Sequence, residues 1–322
     1  MRKTVKIRVL PVIVTGVLLC VAGLLWPSAL PRRQFTVAVG IWPGVERLLE
    51  VRGSWEEGNL MELSWSGAVT GAFHKRVADA AVVSLDELLR LEAGDAQPQA
   101  VLVLGISAGS DVLMARPGIA SVAELRGRRV GVELRSAGEY LLTRVLRMHG
   151  MVLQDVEVVP LNLAETETAY LENDLDAVVT ADPWRARLHD AGAQTLADSG
   201  AMGLEMSRVL VVRRDAPENH DARLRQLLAA SLAHPGHENE PDGNTEMDAL
   251  LRREELTLHQ WQQAIRLVRL PGVSENRRLL EADGPLAEVL KEMSVRMLAE
   301  GMLPRAVETG RLLNGDFLPP IP

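Results

Sequence analysis

The residues best suited to chemistry follow short apolar runs, at the points where helices are expected to begin. Ser66, Ser84, Ser136 and Asp182 each stand between a predicted strand and a predicted helix. Such side chains accept hydrogen bonds from the free N–H groups of a helix, and a single one is usually only a cap. Several at one sheet edge indicate a binding site, because open α/β sheets bind ligands beyond the carboxyl ends of their strands.

Three of the six tryptophans, Trp42, Trp65 and Trp184, also follow predicted strands. A tryptophan in this place can wall a pocket and stack on a flat ligand. It can equally pack beneath its own loop, since the end of a strand is where the core meets the surface. The sequence leaves both roles open.

Two patterns that could carry catalysis lack the context they need. Residues 105–109 (GISAG) fit the nucleophile elbow G-x-S-x-G around Ser107, but a second extended run follows where the elbow requires a helix. His234 and His237 lie beside acidic residues, but the Pro-Gly pair between them prevents a helix that would align metal ligands. An esterase is therefore disfavoured, and the sequence predicts no catalytic residue, no metal site and no cofactor.

The elements that must position these residues alternate along the chain. Near-continuous apolar runs are typical of strands buried on both faces of a sheet, and amphipathic stretches between them indicate helices. This alternation predicts a doubly wound α/β fold with mainly parallel strands up to about residue 213. The strands are expected at 35–40, 60–65, 80–84, 100–106, 112–116, 129–133, 156–161, 177–180 and 209–213. Helices dominate from about residue 215, around a polar loop at 234–244.

Length, charge and the N-terminus limit the class of protein. A chain of 322 residues suggests roughly two domains of about 100–200 residues each. The formal charge of −8 argues against a nucleic-acid partner, and the lone Cys20 excludes a disulfide framework. Four basic residues precede an apolar run at 9–26. Residues 1–33 are therefore predicted to be a signal peptide or a membrane anchor, with a periplasmic or other extracytoplasmic location for the rest.

Several segments resemble one family, the periplasmic solute-binding proteins of the nitrate/sulfonate/taurine class that serve ABC importers. The likeness runs from residue 34 to about 301, and its most specific part is the block LRGRRVGV at 125–132. The other segments are FTVAVGIWPG (35–44), VADAAVVS (77–84), LDAVVT (175–180) and the region 270–280.

The resemblance implies a type II periplasmic-binding-protein fold, with two α/β lobes joined by a two-segment hinge. Lobe 1 would comprise residues 34–111 and 204–322, and lobe 2 residues 112–203. A solute would bind between the lobes, and a permease and its ATPase would be partners of a monomeric protein. The ligand-binding residues expected from the resemblance and the strand ends are Trp42, Pro43, Trp65, Ser66, Gly67, Ser84, Asp86, Ser110, Ser136, Ala137, Thr180, Asp182 and Trp184.

The nature of the solute stays open at this point. Helix N-termini at Ser66, Ser136 and Asp182 would suit an oxyanion such as nitrate or a sulfonate. Acidic residues near the expected cleft favour instead a neutral or amine-bearing small organic solute, including the pyrimidine-precursor type. Two other functions remain as alternatives: a ligand sensor tethered to the membrane, and an enzyme on the same fold.

Overall fold

The structure is a computed structural model that describes residues 34–52, 55, 58–216, 220–233, 251–252 and 256–321. The predicted N-terminal signal or anchor and the polar loop at 234–244 lie outside these residues. Within the described ranges, no helix is both long enough and apolar enough to cross a membrane.

Strands and helices alternate through most of the described chain. The strands are β1 (Phe35–Val39), β2 (Gly58–Glu62), β3 (Ala80–Ser84), β4 (Pro98–Ser107), β5 (Asp111–Ala115), β6 (Arg129–Val132), β7 (Glu157–Pro160), β8 (Ala177–Ala181), β9 (Gln194–Asp198), β10 (Ser207–Arg213) and β11 (Val268–Arg269). The α-helices are α1 (Glu46–Leu49), α2 (Ser66–His74), α3 (Leu85–Ala93), α4 (Ala137–Met148), α5 (Thr166–Leu171), α6 (Trp184–Asp190), α7 (Asp221–Ala233), α8 (Leu258–Ile265), α9 (Val273–Leu279) and α10 (Pro285–Ala299).

The first sheet has six strands in the order β11-β4-β10-β3-β1-β2. Strands β1, β2 and β3 pair in parallel, whereas β10 runs antiparallel to both β3 and β4. All five residues of β1 are buried, as expected for a strand covered by helices on both faces. The sheet is therefore mixed rather than mainly parallel, because β10 returns from the second sheet and enters in the opposite direction.

The second sheet has five strands in the order β7-β6-β8-β5-β9. Within β5, Leu113 and Ala115 pack into one core while Val112 and Met114 pack into the other. This alternation follows from the two-residue period of a strand and shows that helices cover both faces. A continuous apolar run is thus consistent with burial on both sides even though β5 is antiparallel to its neighbours.

The chain passes between the two sheets twice. It leaves the first sheet after β4 through residues 108–110, and it returns from β9 through 3₁₀ turns at Ser199–Met206. The Ser199 hydroxyl joins the two passages, because its oxygen lies 2.7 Å from Ser107 Oγ and accepts a hydrogen bond from Gly109 N at 2.9 Å. Two α/β lobes connected by two adjacent segments form the type II binding-protein fold.

Candidate ligand-binding cleft

A small cavity lies where the two lobes meet at their strand ends. Its volume is about 40 Å³, little more than the space that one water takes up in the liquid. The first lobe contributes Ser66 and Arg208, and Asp111 lies where the chain enters the second sheet. The second lobe supplies the other lining residues: Glu133, Ser136, Ala137, Gly138, Leu163, Val179, Thr180 and Ala181. The lobes are therefore closed on each other, and a larger solute could enter only if they separated.

One hydrogen bond crosses this cleft directly. Ser66 N, at the start of α2, donates to Glu133 Oε1 at 2.8 Å. Glu133 follows β6 in the other lobe and is buried, and this burial raises the pKa of its carboxyl while the Ser66 N–H acts to lower it. The carboxylate thus lies at the position where the N-terminus of α2 would attract an anion.

Arg208, the cation of the cleft, is not among the residues expected from the sequence. It is the second residue of β10, and its Nη2 donates to Asp111 Oδ1 at 3.0 Å. Its guanidinium carbon also lies 5.3 Å from the centre of the Trp42 ring, a cation–π distance. Its position beside the apolar run 209–212 could have indicated an ion pair, because an arginine at the edge of a buried strand needs an anionic partner.

Two polar atoms of this pair have no partner among the described residues. Asp111 Oδ2 and Arg208 Nη1 are buried and have no hydrogen-bond partner in the described part of the chain. Asp111 is only 4 % exposed, and both residues line the cavity. An unpaired buried polar atom is costly, so each is a point where a ligand group would be stabilising.

The start of α3 forms a second acidic group near Arg208. Ser84 Oγ donates to Asp86 Oδ1 at 2.5 Å, and Ser84 N donates to Glu87 Oε2 at 2.8 Å, as in a capping box. Burial, followed by the charge of Asp86, raises the pKa of Glu87 to about 7, while Arg208 acts to lower it. The side chains of Ser84 and Asp86 are thus bound to each other at the start of α3. The carboxyl group of this helix start that interacts electrostatically with Arg208 is that of Glu87.

Asp182 lies at the end of β8, next to a cis peptide bond to Pro183. Burial raises its pKa to about 6, the charge of Arg185 opposes that shift, and the charge of Asp111 adds to it. Asp182 Oδ2 lies 3.4 Å from Arg185 Nε. Trp184 follows as the first residue of α6 and is buried. Asp182 N donates to the Ser110 carbonyl at 3.1 Å, which places Asp182 beside the start of β5.

The N-terminus of α4 is closed by its own cap. Ser136 Oγ accepts a hydrogen bond from Gly138 N at 3.0 Å and donates to the Glu133 carbonyl at 2.7 Å. Arg135, which precedes this cap, has a positive φ of 61° and is exposed. Its side chain lines a different cavity, so Arg208 is the cation of the inner cleft.

A larger open cavity of about 420 Å³ adjoins the cleft on the side of α2 and α3. Trp65 and Gly67 line it together with Glu87, Arg90, Leu134 and Arg135. The Trp65 side chain is 46 % exposed, and its ring lies directly over Gly67, where an added Cβ would come within 1.9 Å of the ring. Trp65 therefore presents an aromatic face to this cavity.

The residues expected at the site fall into three groups: those that line the inner cavity, those that line the larger cavity, and those that line neither. Ser66, Ser136, Ala137 and Thr180 line the inner cavity, and Trp65 and Gly67 line the larger one. The remaining expected residues line neither of the two cavities and are buried around them: Trp42, Pro43, Ser84, Asp86, Ser110, Asp182 and Trp184. Ser110 is fully buried, and its hydroxyl has no hydrogen-bond partner among the described residues.

Ser107 belongs to the connection between the lobes. Its hydroxyl accepts a hydrogen bond from Asp111 N at 3.1 Å and meets Ser199 Oγ, and it is 1 % exposed. Strand β5 follows β4 after three residues, so the helix of a nucleophile elbow is not present at this point.

A shared cleft between two α/β lobes defines the class of two-lobed solute-binding folds, and comparisons with known proteins agree. Residues 76–233 match the family model described as NMT1/THI5 like. Together with the solved structures and sequence relatives described next, this match confirms the resemblance to nitrate/sulfonate/taurine-class binding proteins.

Solved structures share the fold over most of the chain. The alkanesulfonate-binding protein SsuA from Xanthomonas axonopodis pv. citri, solved with MOPS bound, has a TM-score of 0.70 at 19% identity and covers 85% of this chain and 95% of its own. The nitrate-binding protein NrtA from Synechocystis PCC 6803 has a TM-score of 0.65 at 11% identity, covering 86% of this chain and 84% of its own.

Sequence relatives match over shorter stretches. A binding protein of Brucella abortus (strain 2308) is 34% identical over 68 residues, which is 21% of this chain and 21% of that relative. A protein of Escherichia coli (strain K12) named for binding aliphatic sulfonates is 30% identical over 102 residues, 31% of this chain and 32% of its own. The matched regions thus span between a fifth and a third of these relatives.

Proposed function

We propose that this protein is the extracytoplasmic solute-binding component of an ABC importer. It captures a small organic solute or an oxyanion in the cleft between its lobes and delivers it to a permease with its ATPase. The observation that carries the proposal is the cavity lined from both lobes and bridged by the Ser66–Glu133 hydrogen bond. Such a bridge stabilises a closed state around whatever lies between the lobes.

The lobes in this proposal are residues 34–111 with 204–322, and residues 112–203. Hinge motion occurs at the two passages near 108–110 and 199–206, which are adjacent through Ser199. The protein acts as a monomer, and residues 9–26 hold it at the cytoplasmic membrane or direct its export. Binding alone, without a chemical step, is its function.

A thermal-shift screen of the purified protein tests this function. The solutes are nitrate, bicarbonate, alkanesulfonates, taurine, small amines and pyrimidine-like compounds. Binding to the native state stabilises it by about 2.7 kcal/mol at a ligand concentration of 100 Kd, so a true ligand raises the melting temperature.

Two substitutions locate any binding that the screen finds. Ala137→Trp introduces an indole that is too large for the inner cavity and therefore keeps the lobes from closing there, and Ala120→Trp is the matched control on the exposed surface of the same lobe. We expect the ligand-dependent shift to disappear in the first variant and to persist in the second. A shift that survives Ala137→Trp would place the binding elsewhere and contradict the proposed function.

A further inference from the structure

The positions where this cleft could hold an anion are already occupied by groups of the protein itself. The first N–H of α2, from Ser66, donates to the Glu133 carboxylate at 2.8 Å. The N-terminus of α4 is capped by Ser136 Oγ, which accepts from Gly138 N at 3.0 Å. A nitrate or sulfonate would have to displace the buried Glu133 and would then lie beside its negative charge.

The charge balance of the cleft is acidic. Among the described residues that line the inner cavity, Asp111 and Glu133 are the carboxylates and Arg208 is the cation. Arg208 is also within electrostatic range of Glu87 at the start of α3. Three carboxyl groups therefore surround one guanidinium, and their burial favours either protonation or a further positively charged partner.

One carboxylate oxygen of the cavity lining has no partner within the described ranges. Asp111 accepts from Arg208 through Oδ1, whereas its Oδ2 meets no donor in the part of the chain that is described. The residue is only 4 % exposed, so water compensates this atom poorly. An ammonium group of a solute would supply both the missing donor and the missing positive charge.

We propose that the cleft selects a solute with a protonated amine, whose N–H groups donate to Asp111 Oδ2 and to the Glu133 carboxylate. Arg208 Nη1, the other unpaired atom of the cavity, donates to a neutral acceptor on the same solute. This inference rests on the proposed function and narrows it. It separates this protein from relatives that are named for binding sulfonates or nitrate.

Isothermal titration with two carbon-matched pairs tests the selectivity: propylamine against propane-1-sulfonate, and benzylamine against phenylmethanesulfonate, with nitrate as a further anion. The full-length protein is used at pH 7.5 and constant ionic strength. We expect each amine to bind at least tenfold more tightly than its sulfonate partner. A sulfonate or nitrate that binds as tightly as the amines, or more tightly, overturns the amine inference and leaves the proposed function standing.

Absence of binding by all five probes, together with no shift in the wider solute screen, would contradict the proposed function itself. The amine inference would then fail together with the proposed function, whereas tight binding of a sulfonate or nitrate would contradict the amine inference alone. Because the comparison of solute classes uses the unaltered protein, it does not depend on any variant folding correctly.

Three variants then assign the contacts. Asp111→Asn and Glu133→Gln each remove one carboxylate charge from the cavity, and Glu124→Gln removes one from the exposed surface of the same lobe. We expect amine affinity to fall at least tenfold in the first two and to change less than twofold in the third. If Glu133→Gln instead strengthens sulfonate binding and leaves amine binding unchanged, Glu133 only occupies an anion site, and the proposal is wrong.

Discussion

At the scale of single residues, the cleft and its surroundings depend on buried carboxyl groups with unusual protonation. Glu46 is the extreme case, because it is fully buried at the start of α1 and accepts from Gly44 N at 2.6 Å. Burial raises the pKa of Glu46 to about 8, against the smaller opposing effect of backbone N–H groups. The side chain is therefore largely neutral at pH 7, and holds the turn that carries Trp42.

Glu46 should make the stability of the protein fall as pH rises. Its pKa in the folded state lies above the ordinary value of 4.5, so the native state binds more protons between about pH 4.5 and 8. The contribution of this group to the free energy of unfolding is fully present below about pH 4.5. It decreases as the pH rises to about 8, and the total loss is roughly 1.4 kcal/mol for each unit by which the folded pKa exceeds the unfolded pKa.

Glu46→Gln is expected to flatten this decline and to raise the free energy of unfolding at pH 8.5. Urea denaturation between pH 5 and 8.5 measures the effect, with the exposed Glu172→Gln as the control. An unchanged slope in Glu46→Gln would mean that the carboxyl is ionised in the folded state.

At the scale of elements, helix α2 contains two glycines that both line the larger cavity but differ in their surroundings. At Gly67 an added Cβ would lie 1.9 Å from the Trp65 ring, whereas at Gly71 nothing lies within 4 Å. Both residues are in the same helix, where alanine is preferred over glycine by about 0.5–1 kcal/mol. The two positions therefore form a matched pair.

Gly71→Ala should stabilise the protein by about 0.5–1 kcal/mol, because it gains helix propensity without a clash. Gly67→Ala should lose that gain and move the indole of Trp65 out of its position over the helix. Chemical denaturation and tryptophan emission measure the two effects. Equal stabilisation by both substitutions, with unchanged emission, would contradict the close contact between Trp65 and Gly67.

Helix α4 joins the second lobe to several elements of the first. Arg90 of α3 lies 2.7 Å from Glu139 of α4, and Arg147 of α4 lies 2.6 Å from Glu300 after α10. Because Arg90 also lies 3.6 Å from Asp86, the same residue links this interface to the acidic start of α3. Ion pairs therefore form part of the contact between the lobes.

At the scale of the whole molecule, Glu205 connects both lobes to the returning passage. Its carboxylate accepts from Tyr140 at 2.5 Å, from Arg144 at 3.0 Å and from Arg296 at 2.8 Å. Burial acts to raise the pKa of Glu205, but these hydrogen bonds outweigh it and the pKa is lowered. The group therefore contributes stability above its unfolded pKa, and this contribution is lost as pH falls through the lowered value.

Glu205→Gln is expected to reduce the free energy of unfolding at pH 7 by about 2 kcal/mol, the scale of hydrogen bonds to a charged group. Glu288→Gln on α10 is the matched control, since Glu288 is exposed and lies 3.7 Å from Lys291. The difference between the variants should shrink in acid. If it does not depend on pH, the charge of Glu205 is not what holds the three partners.

The two passages between the lobes depend on a pair of buried hydroxyls. Ser199→Ala would leave Gly109 N and Ser107 Oγ without their partner, at a cost of about 1–3 kcal/mol. In a double-mutant cycle with Ser107→Ala, we expect the double variant to lose less stability than the sum of the single variants. Strict additivity, measured by urea denaturation, would show that the two passages are not coupled through these serines.

Local sequence is enough to specify the strands, the helix caps and the sheet edge at which a ligand would bind. Burial on both faces of a strand and the N-cap at a helix start depend on residues close together in the chain, so short patterns predict them. The sequence predicts Ser66, Ser136, Ala137 and Thr180 at the cleft on this basis, and they line the inner cavity.

The electrostatics of that cavity, in contrast, arise from contacts between distant parts of the chain. Arg208 meets Asp111 across 97 residues of sequence, and Ser66 meets Glu133 across 67. Which charge neutralises which depends on how closely the two lobes approach and on the antiparallel entry of β10. No local pattern contains either quantity. This is why the sequence leaves an oxyanion and a neutral or amine-bearing solute open, whereas our proposal of an amine is argued from the contacts of Asp111, Glu133 and Arg208.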